Sequence, residues 1–189
     1  MISAVVLILT SVLFLLISIV VGRAIISRRQ IIGLPPVPLF FFVLAKMLVV
    51  VNLLFLLLKG LNITVYSIFP TTIVTDIIAL VLLFIGTTVL ILATVALNTD
   101  LIFGLSSSGD HKLKTKGVFA ISRHPFYLGF IFILFSSCLF NPHYINFIAF
   151  IGAWIIHHFI MIKEEQYLAG QYGEEYLQYA KKVKRYITI

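Results

Sequence analysis

"ISRHPFYLGF", Ile121 to Phe130, sets an arginine, a histidine and a proline directly ahead of an apolar, aromatic-rich run. The chain around it avoids charge: 61% of its 189 residues belong to the hydrophobic set and 11% are charged, where soluble domains run at about 45–50% apolar and about 25% charged. A soluble core of this length cannot hide so many Leu, Ile, Val and Phe side chains, whereas a bilayer asks for roughly 20 apolar residues per helix and hides nothing. The sequence therefore predicts an all-α integral membrane protein, one membrane domain over residues 1–189 without a separate soluble domain. The net charge of +7 is read as membrane topology, because a nucleic-acid role would need a soluble basic face. Cys138 is the one cysteine, so neither an internal disulfide nor a thiolate metal cluster is expected.

Upstream of the quoted stretch, Ile2–Gly22 reads as a first span, retained because it lacks a basic leader and a small-residue cleavage site. "GLPPVP", Gly33 to Pro38, reads as a stiff turn, since its prolines resist helix. A second span follows over 39–58 and a third over 71–97, so that residues 1–97 form an N-terminal region of three spans. Residues 98–123 form the longest polar segment. Downstream, 126–140 is apolar but short, "NPH" at Asn141 to His143 breaks it, and 144–162 returns, a pattern that predicts a helical hairpin. In the polar tail from Lys163, the spacing of Tyr167, Leu168, Tyr172, Tyr176, Tyr179 and Val183 gives a helix one greasy face, expected to lie on the membrane surface or fold back on the polar loop.

Lys and Arg fall in three clusters: Arg23, Arg28 and Arg29; Lys112, Lys114, Lys116 and Arg123; and Lys163, Lys181, Lys182, Lys184 and Arg185. Only Lys59 falls in a loop on the other side. The positive-inside rule then places the N-terminus outside, the basic segments and the C-terminus in the cytosol, and requires an odd number of crossings, which the run lengths set at five. The two polar segments flanking the hairpin would share one side and could meet. Lys46 and Asp76 lie inside proposed spans, where ionisable groups are expensive, and an ion pair between them is expected.

Proline favours the first position of a helix, so a helix is predicted to start at Pro125 with His124 near its cap. Its unsatisfied N–H groups and positive dipole end, beside Arg123, make a corner that attracts anions.

"HKLKTKGVFAISRHPFYLGF", His111 to Phe130, followed by "EEQYLAGQYGEEYLQYAKKVKRYI", Glu164 to Ile187, resembles the isoprenylcysteine carboxyl methyltransferase family and the related phospholipid methyltransferases over about the last 80 residues. The resemblance implies an integral membrane methyltransferase using S-adenosyl-L-methionine, held between polar loop, hairpin and tail within residues 98–189. Carried over residue by residue, it implies cofactor contacts from His111, Lys112, Leu113, Lys114, Phe119, His124, Pro125, Phe126, Tyr127 and Glu164. Two positions depart from the eukaryotic pattern: Phe119 stands in place of a tyrosine, and Ile160 in place of an arginine thought to hold the substrate carboxylate.

The residue types suit a methyl donor independently. A helix N-terminus with His124 suits its carboxylate, Glu164 or its neighbour Glu165 its ammonium or ribose, and Phe119, Phe126 and Tyr127 its adenine ring or sulfonium. Arg123 and Glu165 are the candidate catalytic residues, Arg123 to hold an acceptor carboxylate and Glu165, with His124 or His157, to take a proton if the acceptor is an amine or hydroxyl. No metal site is expected. The favoured activity is carboxyl O-methylation of a lipophilic, isoprenylcysteine-like or prenylated acceptor drawn from membrane lipid. The alternatives are phospholipid amine N-methylation, an NADPH-dependent reductase, since sterol reductases end in a similar "RHPxYxG" pattern, and a small non-enzymatic carrier.

Overall fold

The computed structural model describes residues 1–26, 33–97, 104–105 and 112–188. Among these residues six α-helices follow in order: α1 (Ile2–Ile26), α2 (Leu39–Gly60), α3 (Ile73–Leu97), α4 (Pro125–Phe140), α5 (Tyr144–Tyr172) and α6 (Glu174–Lys182), with a 3₁₀ turn at Gly117–Ala120 before α4. Among the described residues the extended structure is an isolated antiparallel bridge between Leu34 and Leu105.

Four helices, α1, α2, α3 and α5, are long and apolar enough to cross a membrane. At 16 residues, α4 is about 24 Å long, short of a hydrocarbon core of about 30 Å. Their surfaces are those of helices in lipid: Ile8, Phe14, Phe40, Val50, Ile78, Phe84, Ile148 and Phe159 point outward and are exposed. The inward face of α3, Ala79, Leu83, Gly86, Thr87, Leu90, Ala93 and Thr94, is buried and recurs at the helical period.

Lipid offers no hydrophobic force between helices, so close backbone approach and buried hydrogen bonds must hold them. α3 and α4 meet glycine to glycine: a Cβ on Gly86 would lie 2.8 Å from the Gly129 carbonyl oxygen, and one on Gly129 would lie 2.9 Å from that of Gly86. A buried polar knot joins α2 to the hairpin. The Ser137 hydroxyl donates to the Asn52 carbonyl at 2.8 Å, the Asn146 amide donates to Ser137 Oγ and to the Asn141 carbonyl, each at 3.1 Å, and the Asn141 amide donates to the Phe55 carbonyl at 2.9 Å. The thiol of Cys138 is buried in the same knot, 3.5 Å from the Asn146 carbonyl oxygen.

Asp76 pairs with Lys59, not with Lys46 as the sequence suggested; Lys59 Nζ donates to Asp76 Oδ1 at 3.0 Å. The reason is axial position. Asp76 sits in the first turn of α3 and Lys59 in the last turn of α2, whereas Lys46 lies thirteen residues, about 20 Å, further along α2. The tail also differs from expectation. α5 does not stop near Ile162 but continues to Tyr172, and the break falls at Gly173, whose φ of 55° favours glycine.

Substituting Gly86 or Gly129 with leucine forces backbone apart and should cost about 1–3 kcal/mol or more. Heating the purified protein in detergent and measuring what remains monodisperse should show a lower Tm for either variant. Gly22→Leu, which meets nothing within 4 Å, should leave the Tm unchanged.

Candidate active site

Proline opens α4 at its first position, where its missing N–H is no loss. Its cap residue His124 is buried, with its backbone N–H donating to Ser122 Oγ at 3.1 Å. Here α4 meets α5: Tyr127 Oη donates to Glu164 Oε1 at 2.7 Å, and His124 lies between the two glutamates, Nε2 at 3.2 Å from Glu165 Oε1 and Nδ1 at 3.7 Å from Glu164 Oε2. Since α4 begins at the level of Glu164, the last turns of α5 run on past it.

Glu165 gathers the basic residues. Arg185 grips it with both ends of its fork, Nε to Oε1 and Nη2 to Oε2, each at 2.8 Å, and Arg123 Nη2 reaches Oε1 at 3.1 Å. Bidentate, charge-assisted pairs of this kind are the strong ones, and this one pushes the Arg185 guanidinium above its usual pKa. The chain after α6 is thereby laid along the segment before α4. The Arg123 N–H donates to the Lys184 carbonyl at 3.0 Å, the Thr188 N–H to that of Ile121 at 2.9 Å, and Ser122 Oγ to that of Arg185 at 2.9 Å. α6 turns Tyr176 and Tyr179 inward against Leu113, Leu168 and Tyr172. Tyr179 Oη donates to the Phe119 carbonyl at 2.6 Å.

A cavity of about 210 Å³ lies between these elements. Lys112, Leu113, Lys114 and Phe119 line it from the segment before α4, and Arg123, His124, Pro125, Phe126 and Tyr127 line it around the start of α4. Glu164 lines it from α5. Every described residue expected to contact the cofactor is thus on one wall or another; His111 lies outside the described residues. Glu165 does not line the cavity. Its oxygens are taken up by the two arginines and His124, which makes it the anchor of the wall.

The sequence reading missed several residues of the site. Tyr167, Leu168, Gln171 and Tyr172 line the cavity from α5, with Tyr176 and Tyr179 from α6. The signal was present: Glu164, Tyr167, Leu168, Gln171 and Tyr172 recur at helical spacing on one face, and extending α5 past Lys163 would have aligned them. Gly104 and Leu105 complete the wall through the bridge to Leu34, a contact between distant loops that leaves no periodic trace. Ile160, in contrast, packs with Phe42 and Ala45 in a buried apolar cluster and is not among the residues lining this cavity.

Two buried polar atoms of the cavity-lining residues, Tyr176 Oη and Arg123 Nε, have no hydrogen-bond partner among the described residues. Burial pushes the Tyr176 phenol up to about 12, so it stays protonated and able to donate at neutral pH. Native structures rarely leave such groups unsatisfied. Both residues also line the cavity, which carries a carboxylate and several aromatic rings.

A sequence profile of the phospholipid methyltransferase family matches residues 74–175. The chain is 33% identical over 75 residues to a protein-S-isoprenylcysteine O-methyltransferase of Schizosaccharomyces pombe, covering 39% of this chain and 32% of that protein. It is 36% identical over 74 residues to protein-S-isoprenylcysteine O-methyltransferase B of Arabidopsis thaliana, covering 39% of this chain and 38% of that one. These matches span about a third of the length of the curated relatives. No solved structure matches the chain. Reaching from the first turn of α3 to the start of α6, the matched residues take in most of the cavity's walls, and by that match this membrane protein belongs to the phospholipid methyltransferase family.

Proposed function

We propose that the protein is a membrane methyltransferase that binds S-adenosyl-L-methionine in the cavity at the start of α4 and methylates a lipophilic acceptor, a carboxylate in preference to an amine. The observation that carries this reading is the convergence of Lys112, Leu113, Lys114, Phe119, His124, Pro125, Phe126, Tyr127 and Glu164 on one cavity in a chain of this family. When bound, S-adenosylmethionine supplies an electrophilic methyl group on a positively charged sulfur.

The chain's own residues do the rest. Glu164 takes the ammonium or ribose hydroxyls, and Tyr127 fixes the rotamer of that carboxylate. Arg123 and Tyr176 offer donors to acceptor oxygens, and the first-turn N–H groups of Phe126 and Tyr127 have no intrahelical carbonyls to reach. Phe119 and Phe126 offer ring faces to the adenine or the sulfonium. Arg123, held by Glu165, is the group closest in character to an acceptor-carboxylate clamp, and Glu165 positions it. A carboxylate acceptor needs no general base, and charge diminishes as it meets a sulfonium, so a dry, walled site favours the transfer. Glu165, already committed to two arginines, suits positioning better than proton abstraction.

In this reading residues 1–189 act as one membrane domain with five crossings, α4 being the short one. The basic segments and the site face the cytosol, the N-terminus lies outside, and α6 rests as an amphipathic helix at the cytosolic surface. The name shared by the two relatives supports a prenylcysteine-like acceptor. Phospholipid amine methylation is the second reading, supported by the family description.

Calorimetry should show saturable binding of S-adenosylmethionine to the purified protein, and a flat titration would end this reading. Glu164→Gln should weaken binding at least tenfold, whereas Tyr176→Phe should weaken it about threefold to tenfold, the worth of one hydrogen bond, without lowering Tm because that hydroxyl has no partner among the described residues.

Incubation with radiolabelled methyl donor and a total lipid extract should move label into the lipid phase. Mild alkali should release it as expected of an ester; label that survives alkali would assign the amine reading instead.

A further inference from the structure

Of the two places the sequence allows for the greasy face of α6, the membrane surface or the polar loop, the structure takes the second. Tyr176, Tyr179 and Val183 are buried and pack with Leu113, Leu168 and Tyr172, beside the cavity. What the end of α6 and the residues after it present outward is basic. Lys181, Lys182 and Lys184 are exposed, with only the buried Val183 among them. Arg185 and Arg123, by contrast, are drawn onto Glu165. The carboxylates of α6, Glu174 and Glu175, stand in its first turn, about two turns from the lysines at its other end.

The chain after α6 shows how deep this surface lies. The Tyr186 ring stacks on that of His158, with 6.0 Å between centres, and its hydroxyl lies 2.7 Å from His158 Nδ1. His158 stands seven residues, about 10 Å, back along α5 from Glu165 and on the same face. Its neighbours on the helix, Ile155 and Phe159, are exposed as lipid-facing residues are. The tail therefore runs from the site into the edge of the apolar layer. Ile121 and Ile187 are exposed as well, on the two strips that the Arg123–Lys184 and Thr188–Ile121 backbone bonds join. Lysines beside exposed aliphatics at the end of a span match an anionic bilayer surface, with the ammonium groups among the headgroups and the isoleucines at the acyl boundary. A soluble polyanion would meet the lysines and leave the isoleucines uncovered.

We infer that Lys181, Lys182 and Lys184, with Ile121 and Ile187, form a docking surface for anionic lipids of the leaflet bordering the site, and that docking holds the tail closed over the cavity. The same stretch of tail carries the docking groups and the bonds to Glu165 and to residues 121–123. Just before it, α6 supplies Tyr176 and Tyr179 to the cavity wall. A lipid that favours the docked tail thus favours the complete wall. This last step rests on the methyltransferase reading, in which the cavity is the donor site; the docking itself does not.

Hydrogen exchange tests the docking without any methyl donor. Purified protein is placed in nanodiscs of phosphatidylcholine, with or without phosphatidylglycerol, and exchange over residues 174–188 is followed by mass spectrometry. A lysine near an anionic leaflet is worth about fivefold in binding, so three allow on the order of a hundredfold, part of which an open tail also feels. Phosphatidylglycerol should slow exchange at least about fivefold. Salt at about 1 M, where charges act over only about 3 Å, should abolish the slowing. K181Q/K182Q/K184Q should lose it and K181R/K182R/K184R keep it. Equal exchange of the wild type in the two lipids would overturn the inference even if the variants fail to fold. So would slowing that survives the triple glutamine change. Equal slowing by inositol hexakisphosphate in phosphatidylcholine alone would replace the lipid with a soluble polyphosphate. Calorimetry with S-adenosylmethionine on the same nanodiscs reads the consequence, at least about fivefold tighter binding with phosphatidylglycerol. Measurable but equal binding in the two lipids would overturn the link from docking to the site, whereas a flat titration beside slowed exchange counts against the donor site alone.

Discussion

Glu165 is the point through which the site is assembled. One carboxylate receives a bidentate guanidinium from Arg185, a second guanidinium from Arg123 and the ring of His124. These partners come from the chain after α6, the segment before α4 and the α4 cap. Two cations held against one partly buried anion are costly to separate, and beside these pairs residues 184–188 hydrogen-bond to residues 121–123. Once that stretch of tail is fixed, α6 has one face left to bury, and Tyr176 and Tyr179 close the cavity.

The transmembrane region obeys a different economy. With lipid on every outer face, helices gain little from apolar burial and must gain from closeness and from buried polar contacts. Gly86 and Gly129 supply the closeness between α3 and α4, while Asn52, Ser137, Asn141 and Asn146 supply hydrogen bonds across α2, α4 and α5. Both arrangements serve the site, since they fix where α4 starts.

Much of this was legible in the residues and some was not. Helix type and most boundaries followed from apolar run length and from punctuation at Pro38, Pro125 and the Asn141–His143 turn, because those signals are local. The convergence of Lys112 through Tyr127 with Glu164 followed from motif resemblance, and charge placement put the flanking segments on one side. The pairing of Asp76 with Lys59 was missed because sequence shows which residues are charged but not their height in the membrane; counting residues along α2 and α3 would have decided it. The continuation of α5 past Lys163 was missed because a change from apolar to polar composition reads as an end, although no helix breaker stands there before the glycines at 170 and 173. His157 gave no sign of its link to Lys46. A separation of 111 positions is settled by how two helices pack, and nothing short of the fold reveals it.

The unequal arms of the hairpin have a further meaning. α5 is thirteen residues longer than α4, and where α4 has not yet begun, α5 carries on with Tyr167, Leu168, Gln171 and Tyr172 along the cavity. A partner helix of matching length would occupy that flank with its own side chains, as helix does against helix everywhere else in the bundle. The cavity thus lies on a flank of α5 that α4 does not reach, and its extent depends on where Pro125 lets the shorter arm commence.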